Sequence, residues 1–148
     1  MAKDRANIDS TRLTPPQSSR EFLKAAKQRL ITATFLLDNR YNLDAMYLAG
    51  YAVECSLKAL ILEKTAHADR SEMLRSISSG RQMHDPEILG ELLKNLNNPI
   101  PLHLVKRFRR FGWSTDLRYQ TGRTSSSETR GFLKAAKDTN KWVEGQLP

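Results

Sequence analysis

One stretch of the sequence, residues 42–62, limits what this chain can fold into. It is long enough for about six helical turns, begins with Asn42 as a candidate N-cap, and is apolar almost all the way round. A helix without a polar face has to be surrounded by other elements. Glu54 and Lys58 stand four residues apart within it, in the order that lets an acid and a base pair on a helix. The stretch therefore predicts a central helix that carries an ion pair.

The size and charge of the chain set the class of protein. Its 148 residues, 39% hydrophobic and 27% charged, are typical of one soluble globular domain. The formal net charge of +8 and the pI of about 9.9 favour an acidic partner. Because many small proteins are basic without binding nucleic acid, charge alone does not identify that partner.

The single cysteine and the N-terminal residues indicate the compartment. Cys55 cannot form an internal disulfide, which fits a reducing environment, and within an apolar helix it is expected to be a buried hydrophobe rather than a nucleophile. The polar, charged residues from Lys3 to Arg12 do not resemble a signal peptide. The long apolar stretch is interrupted by Glu54 and Lys58, so we do not expect a membrane span. The sequence predicts a cytoplasmic protein.

The N-terminal third predicts an arm followed by a first helix. Residues 1–17 show no sustained period and are interpreted as a mobile N-terminal arm, with one helical domain over residues 18–148. Ser18 and Glu21 match a capping box, and the helix is expected to run to about Asn39. Its apolar stripe is Phe22, Ala26, Leu30, Ala33 and Leu37, widened by Leu23, Ile31 and Phe35.

The remaining chain also reads as helices. Residues 65–80 predict a short, loosely packed helix, and Asp85 is a strong N-cap because Pro86 and Glu87 follow it. Pro101 opens another helix, and Ser125 caps the last one, which is expected to end near residue 143. No β-type alternation persists. We therefore predict an all-α fold, an up-and-down helical bundle of four long helices plus a shorter one.

No local pattern predicts a metal or cofactor site. His67, His84 and His103 lie far apart on different predicted elements, and there is no second cysteine. The glycines form neither a phosphate-binding loop nor a dinucleotide fingerprint. Nothing local supports a Ser-His-Asp triad. We expect neither a cofactor nor a metal.

Positive charge is concentrated between residues 104 and 142. Ten bases and three acids in this segment give +7, nearly the whole net charge. Four aromatic residues lie among them: Phe108, Phe111, Trp113 and Tyr119. Arginine combined with aromatic rings grips phosphates and stacks on bases. Core packing is the favoured interpretation for Phe108 and Phe111, whereas both interpretations stay open for Arg118 and Tyr119.

Two interpretations also stay open for the ion pair in the central helix. Glu54 and Lys58 either fix the helix register as a semi-buried pair, or line a groove in which Glu54 orients Arg118. In the second case we expect the pair to face Arg118 across the bundle.

Three segments together resemble the HEPN domain (higher eukaryotes and prokaryotes nucleotide-binding). Residues 47–60 are similar to its signature helix, an A-G-Y-x-x-E-x-x-L-K-A-L run. His84-Asp85 precedes a leucine-rich helix, and Trp113 is followed by Arg118-Tyr119. These segments occur in the family's order, over roughly residues 20–143.

The resemblance implies a helical bundle that usually dimerises, a cytoplasmic role, and nucleotide or RNA handling. Some relatives act beside a small nucleotidyltransferase in toxin–antitoxin or antiviral systems. Others are metal-independent ribonucleases with an R-x4–6-H motif. This chain departs from that motif, because no arginine has a histidine five to seven positions after it; Arg81 and His84 are too close. The departure favours a non-catalytic or substrate-binding member.

The first hypothesis is a binding module for a nucleotide or RNA, acting as a homodimer with a partner such as a nucleotidyltransferase. Its candidate phosphate- and base-binding residues are Arg118, Tyr119, Trp113 and Arg123. Glu54, Lys58 and Asp116 are the candidates for positioning these residues without touching the ligand. The alternative is a metal-independent ribonuclease with an atypical site that includes Arg118 or His84. A third possibility is an antitoxin-like subunit whose basic face meets an acidic protein.

Overall fold

The structure, a computed structural model, describes residues 13–148, and this part of the chain forms six α-helices and no β-strand. The helices are α1 (Ser19–Asp38), α2 (Asn42–Lys64), α3 (Arg70–Ile77), α4 (Pro86–Asn95), α5 (Leu102–Phe111) and α6 (Ser126–Gln146). Short 3-10 turns occupy His67–Asp69, Arg81–His84 and Thr115–Tyr119. The all-α bundle is confirmed, with three long helices and three short ones. Residues 1–12 of the predicted arm lie outside the described residues.

Three of the four predicted N-caps are present. The side chains of Ser18, Asp85 and Ser125 each accept a hydrogen bond from a backbone N–H in the first turn of the following helix. The prediction that Asn42 caps α2 is wrong, because Asn42 lies inside the helix. Its side chain instead donates to the Thr124 carbonyl and the Ser126 hydroxyl, at 3.1 and 3.0 Å. It therefore ties the start of α2 to the loop before α6.

Helix α2 is the centre of the bundle. It packs against α1, α4 and α6, and fourteen of its 23 residues are buried. By length and composition it could cross a membrane, but most of its apolar window is covered by the other helices. Packing within the fold accounts for its lack of a polar face. The predicted central helix is confirmed.

Helix α1 covers α2 with a narrower stripe than expected. The five predicted stripe residues from Phe22 to Leu37 are buried. Ile31 and Phe35, which were expected to widen the stripe, are 72% and 64% exposed. They lie roughly 140–180° around the helix from the stripe centre, so they point away from α2. Two apolar side chains are thereby left on the outer face of α1.

Candidate functional site

The three segments that carry the family resemblance meet in space. Tyr47 and Tyr51 lie on one face of α2, His84 ends the turn before α4, and Trp113 follows α5. The Tyr51 ring contacts the other three edge-on, with centroid distances of 5.0 Å to Tyr47, 5.4 Å to Trp113 and 6.1 Å to His84. We call these four residues the aromatic cluster. Edge-to-face contacts of this kind stabilise a cluster beyond the effect of burying its apolar area.

Position 50 of α2 requires glycine because the Trp113 indole packs directly against its backbone. A Cβ atom added to Gly50 would lie 1.8 Å from Cε2 of the indole, so only glycine leaves room for the ring. The indole Nε1 also donates to the Tyr47 carbonyl at 3.2 Å. The close approach to Gly50 is thus made by an indole side chain. Since the fold holds this ring on both sides, we assign Trp113 to packing and leave ligand stacking to Tyr119.

Glu54 is paired with two other side chains and not with Arg118. Its Oε2 lies 2.9 Å from Lys58 Nζ, and its Oε1 lies 2.8 Å from His84 Nδ1. No ion pair joins Glu54 or Lys58 to Arg118 among the described residues, so the expected orientation of Arg118 by Glu54 is not seen. The only signal for His84 before the structure was weak, namely the His-Asp pair of the family pattern.

The pairing orients the His84 imidazole. The side chains of Glu54 and Lys58 are only 7% and 5% exposed, whereas that of His84 is 41% exposed. With the Nδ1 proton donated to the buried carboxylate, neutral imidazole carries its free lone pair on Nε2. A buried carboxylate, a fixed tautomer and an exposed ring are what a general acid–base histidine requires.

Tyr51 contacts the His84 ring and is close enough to Arg118 to be influenced by its charge. Burial is the main cause that raises the pKa of Tyr51 above its usual range, and the hydrogen bond with Tyr47 adds to it. The negative charge of Glu54 acts in the same direction, while the positive charge of Arg118 opposes it. Tyr51 is therefore a neutral phenol near one negative and one positive group.

Arg118 and Tyr119 form an exposed pair on the turn after Trp113. The guanidinium carbon of Arg118 lies 4.7 Å from the centroid of the Tyr119 ring, which is a cation–π contact. Tyr119 is 73% exposed. Tyr119 is also the main cause that raises the pKa of Arg118, so the guanidinium stays charged. Among the described residues Arg118 has no acidic partner, and the Asp116 carboxylate forms no ion pair with it.

Arg123 lies in a separate hollow between the C-terminal end of α5 and the start of α6. The hollow has a volume of about 490 Å³, and its wall includes the loop 120–124. Arg110 lines the same space. The residues predicted as one binding site therefore occupy three places: Trp113 in the aromatic cluster, Arg118 and Tyr119 on the exposed turn, and Arg123 in this hollow.

Residues 13–148 contain no group of three or more His, Cys, Asp or Glu side chains that converge as metal ligands. The three histidines lie on different elements, and the Glu54 carboxylate that pairs with His84 is also paired with Lys58.

Comparison with known proteins identifies the family. The family model of the HEPN domain matches residues 19–146, almost the whole described chain. Searches of curated proteins and of solved structures gave no match. The residues that carried the resemblance, Gly50, Tyr51, Glu54, His84 and Trp113, are those that contact one another in the structure. The chain belongs to the HEPN domain family.

Proposed function

We propose that this domain binds single-stranded RNA or a nucleotide through Arg118 and Tyr119. HEPN domains are nucleotide-binding and ribonuclease-like modules. The observation that carries the proposal is the exposed guanidinium 4.7 Å from an exposed tyrosine ring. The guanidinium supplies a phosphate contact, and the ring supplies a face on which a base stacks.

The charge of the C-terminal third supports an anionic ligand. Of the ten bases between residues 104 and 142, three are in ion pairs: Arg107 and Lys134 with Asp138, and Arg109 with Glu87. The other seven are exposed and without a salt bridge to any described residue: Lys106, Arg110, Arg118, Arg123, Arg130, Lys137 and Lys141. Binding that neutralises phosphates with such groups weakens steeply as salt rises.

The test is the affinity for a fluorescent single-stranded RNA, measured by anisotropy at two salt concentrations. We expect Arg118→Ala and Tyr119→Ala each to weaken binding about tenfold, and the salt dependence to become shallower for Arg118→Ala. Arg20→Ala is the matched control, because Arg20 is an exposed arginine on α1, at the other end of the sequence. Equal losses for Arg118→Ala and Arg20→Ala would show that the exposed pair is not the site.

A second candidate function is metal-independent RNA cleavage, and the pairing of His84 with Glu54 favours it. An imidazole oriented through Nδ1 would accept the proton of a ribose 2′-hydroxyl on Nε2 as that oxygen attacks the adjacent phosphorus. It would later return the proton to the departing 5′-oxygen. This chain has no R-x4–6-H motif, so in this hypothesis the catalytic histidine, His84, lies at a different sequence position from the histidine of that motif.

Cleavage is tested with purified protein and RNA in the presence of a metal chelator. We expect His84→Ala to abolish activity and His103→Ala, a histidine on α5, to leave it unchanged. Intact RNA after incubation with folded wild-type protein would eliminate the ribonuclease and leave the binding module.

The homodimer is also a proposal, supported by the outer face of α1. Ile31 and Phe35 lie one turn apart and are mostly exposed, and exposed apolar pairs of this kind mark interaction surfaces. Phe35→Glu is expected to give a monomer in light scattering, whereas Thr32→Glu on the same helix is not.

A protein partner, either a nucleotidyltransferase or an acidic protein, is a further proposal. Co-purification at high salt tests it, because high salt weakens association through RNA.

A further inference from the structure

The hollow that contains Arg123 is distinct from the exposed Arg118–Tyr119 pair. We infer that it binds the terminal nucleotide of an RNA strand, with its phosphate monoester against Arg110 and Arg123. The inference rests on the proposed RNA-binding function and names the part of the ligand that this second place would recognise.

The lining of the hollow favours an anion. Arg110 and Arg123 both line it and neither forms a salt bridge with a described residue. Hydroxyl and amide groups accompany them, from Gln120, Thr121 and Ser127. The first turn of α6 borders the same space, which adds the positive end of a 21-residue helix.

The charges fit a monoester better than a diester. A terminal phosphate carries about −1.5 to −2 at pH 7, whereas each internal phosphodiester carries about −1. Glu128 also lines the hollow and is its one acidic side chain. The lining therefore contains two guanidiniums and one carboxylate. A terminal phosphate with two negative charges interacts more strongly with the two guanidiniums than an internal phosphate with one charge.

The size and lining of the hollow fit a whole nucleotide. Apolar side chains contribute to its lining, among them the buried Met46 and the partly buried Phe111 and Leu117. A volume of about 490 Å³ lies within the usual range of small-molecule pockets and is larger than phosphate alone requires. The apolar wall would take the terminal base while the arginines take the phosphate.

Three local features hold the hollow in shape. Asn42 donates to the Thr124 carbonyl and so ties the loop to α2. Gly122 has a φ of +110°, which a side-chain-bearing residue rarely adopts. Gly131 lets the Phe111 ring approach closely, since a Cβ there would lie 3.0 Å from its Cζ. The loop is therefore fixed to α2, and the contact between Gly131 and Phe111 holds α5 against α6.

The hollow is continuous in sequence with the exposed pair. Tyr119 is followed directly by Gln120, the first residue of the loop 120–124. A strand stacked on Tyr119 would thus have its terminal nucleotide in the hollow and its neighbouring nucleotides on the exposed turn.

The experiment compares three RNA oligomers of one sequence, labelled internally, that end in a 5′-phosphate, a 3′-phosphate or hydroxyls only. We expect one phosphorylated form to bind about tenfold more tightly than the hydroxyl form. Arg110→Ala and Arg123→Ala should abolish that difference, and the distant Arg20→Ala should preserve it. Circular dichroism confirms that each variant is folded.

Competition identifies the source of the monoester. Displacement of the RNA by a mononucleotide only at much higher concentration supports an RNA end, whereas a mononucleotide that binds as tightly as the RNA overturns it in favour of free nucleotide. Inorganic phosphate is the control for charge alone. Equal affinity for all three oligomers, with Arg118→Ala still weakening each of them, would overturn this inference and leave the proposed function intact. No RNA affinity in the folded protein would overturn both.

Discussion

The indole of Trp113 lies directly over the backbone of Gly50 and donates its Nε1 proton to the carbonyl of Tyr47. This contact holds the segment after α5 against the central helix. The turn that carries Arg118 and Tyr119 begins two residues later, at Thr115. The position of the proposed binding pair therefore depends on a glycine in the middle of α2.

The first prediction is that Gly50→Ala destabilises the fold by about 1–3 kcal/mol, the usual range for an overpacked core. Alanine would normally stabilise a helix interior by up to about 1 kcal/mol, but its Cβ would overlap the indole. Urea denaturation followed by circular dichroism measures the change in the free energy of unfolding. RNA affinity should fall in the same variant, because displacing Trp113 moves the turn that follows it.

Gly145→Ala is the matched control for this prediction. Gly145 is also in a helix, and a Cβ there meets no atom within 4 Å. We therefore expect no loss of stability. If Gly50→Ala is equally harmless, the indole does not occupy the space over α2 in solution. The cost of Gly50→Ala should also shrink in a Trp113→Ala background, where the overlapping ring is gone.

The second prediction concerns the carboxylate shared by Lys58 and His84. Glu54→Ala should cost about 3–5 kcal/mol, because it leaves a buried ammonium group without a partner. His84→Ala should cost about 1 kcal/mol, since the imidazole is 41% exposed and Glu54 keeps its bond to Lys58. Denaturant unfolding measures both.

Glu91→Ala provides the reference for losing an exposed carboxylate, because Glu91 has no salt bridge among the described residues. We expect it to change stability by less than about 0.5 kcal/mol. Equal effects of Glu54→Ala and His84→Ala would mean that Lys58 reaches water when its partner is removed.

The part of this arrangement that lies within one helix could be predicted from the sequence. The spacing of Glu54 and Lys58 fixes their pairing, and the absence of a polar face fixes α2 at the centre. The His84 contact could not be predicted in this way, because it depends on where the turn before α4 packs. Only the family pattern linked the two segments.

The misassigned residues of α1 have a different cause, because helix geometry alone places them away from the stripe. Ile31 and Phe35 are apolar and one turn apart, so they resemble a buried stripe, yet their angular position on α1 directs them to solvent. The hollow around Arg123 was not predictable, because it is formed by loop geometry and by residues from α2, α5 and α6. Short-range periodicity determines helices, whereas sites between helices follow from packing.

The third prediction is a pH-dependent contribution from Asp138, which accepts hydrogen bonds from Arg107 on α5 and Lys134 on α6 at 2.7 and 3.2 Å. Partial burial would raise the pKa of Asp138, but these two bonds outweigh it and hold the pKa below its usual value. A lowered pKa in the folded state means that the contribution is present above about pH 4, the unfolded value. It is lost as the pH falls through the lower folded value.

Asp138→Asn should therefore cost about 0.5–1 kcal/mol at pH 7, a modest value because the carboxylate is about one-third exposed. The difference from wild type should shrink as the pH is lowered below about 4. Asp116→Asn, which removes an exposed carboxylate without a salt bridge to a described residue, should show no such trend. A difference for Asp138→Asn that is constant from pH 7 to pH 3 would contradict the pairing.

The fourth prediction is that the Cys55 thiol is unreactive in the folded protein. Burial is the main cause that raises its pKa to about 11, and the nearby charge of Glu54 adds to the shift, while Lys58 and Arg29 oppose it. Only the thiolate attacks electrophiles. At pH 8 roughly one thiol in a thousand would be ionised at that pKa, against about a quarter in an unfolded chain. A thiol-reactive chromophore should therefore modify the native protein at least about a hundredfold more slowly than the protein in urea.

An exposed cysteine provides the comparison within the same fold. In a Cys55→Ala, Ser71→Cys double variant the thiol is placed on the exposed side of α3, and it should react at nearly the same rate with and without urea. The ratio of native to unfolded rates thus separates burial from any general effect of the reagent. Cys55 is only partly buried, so fast modification of the native protein would mean that its thiol ionises despite the surrounding apolar side chains, and it would restore the nucleophile interpretation.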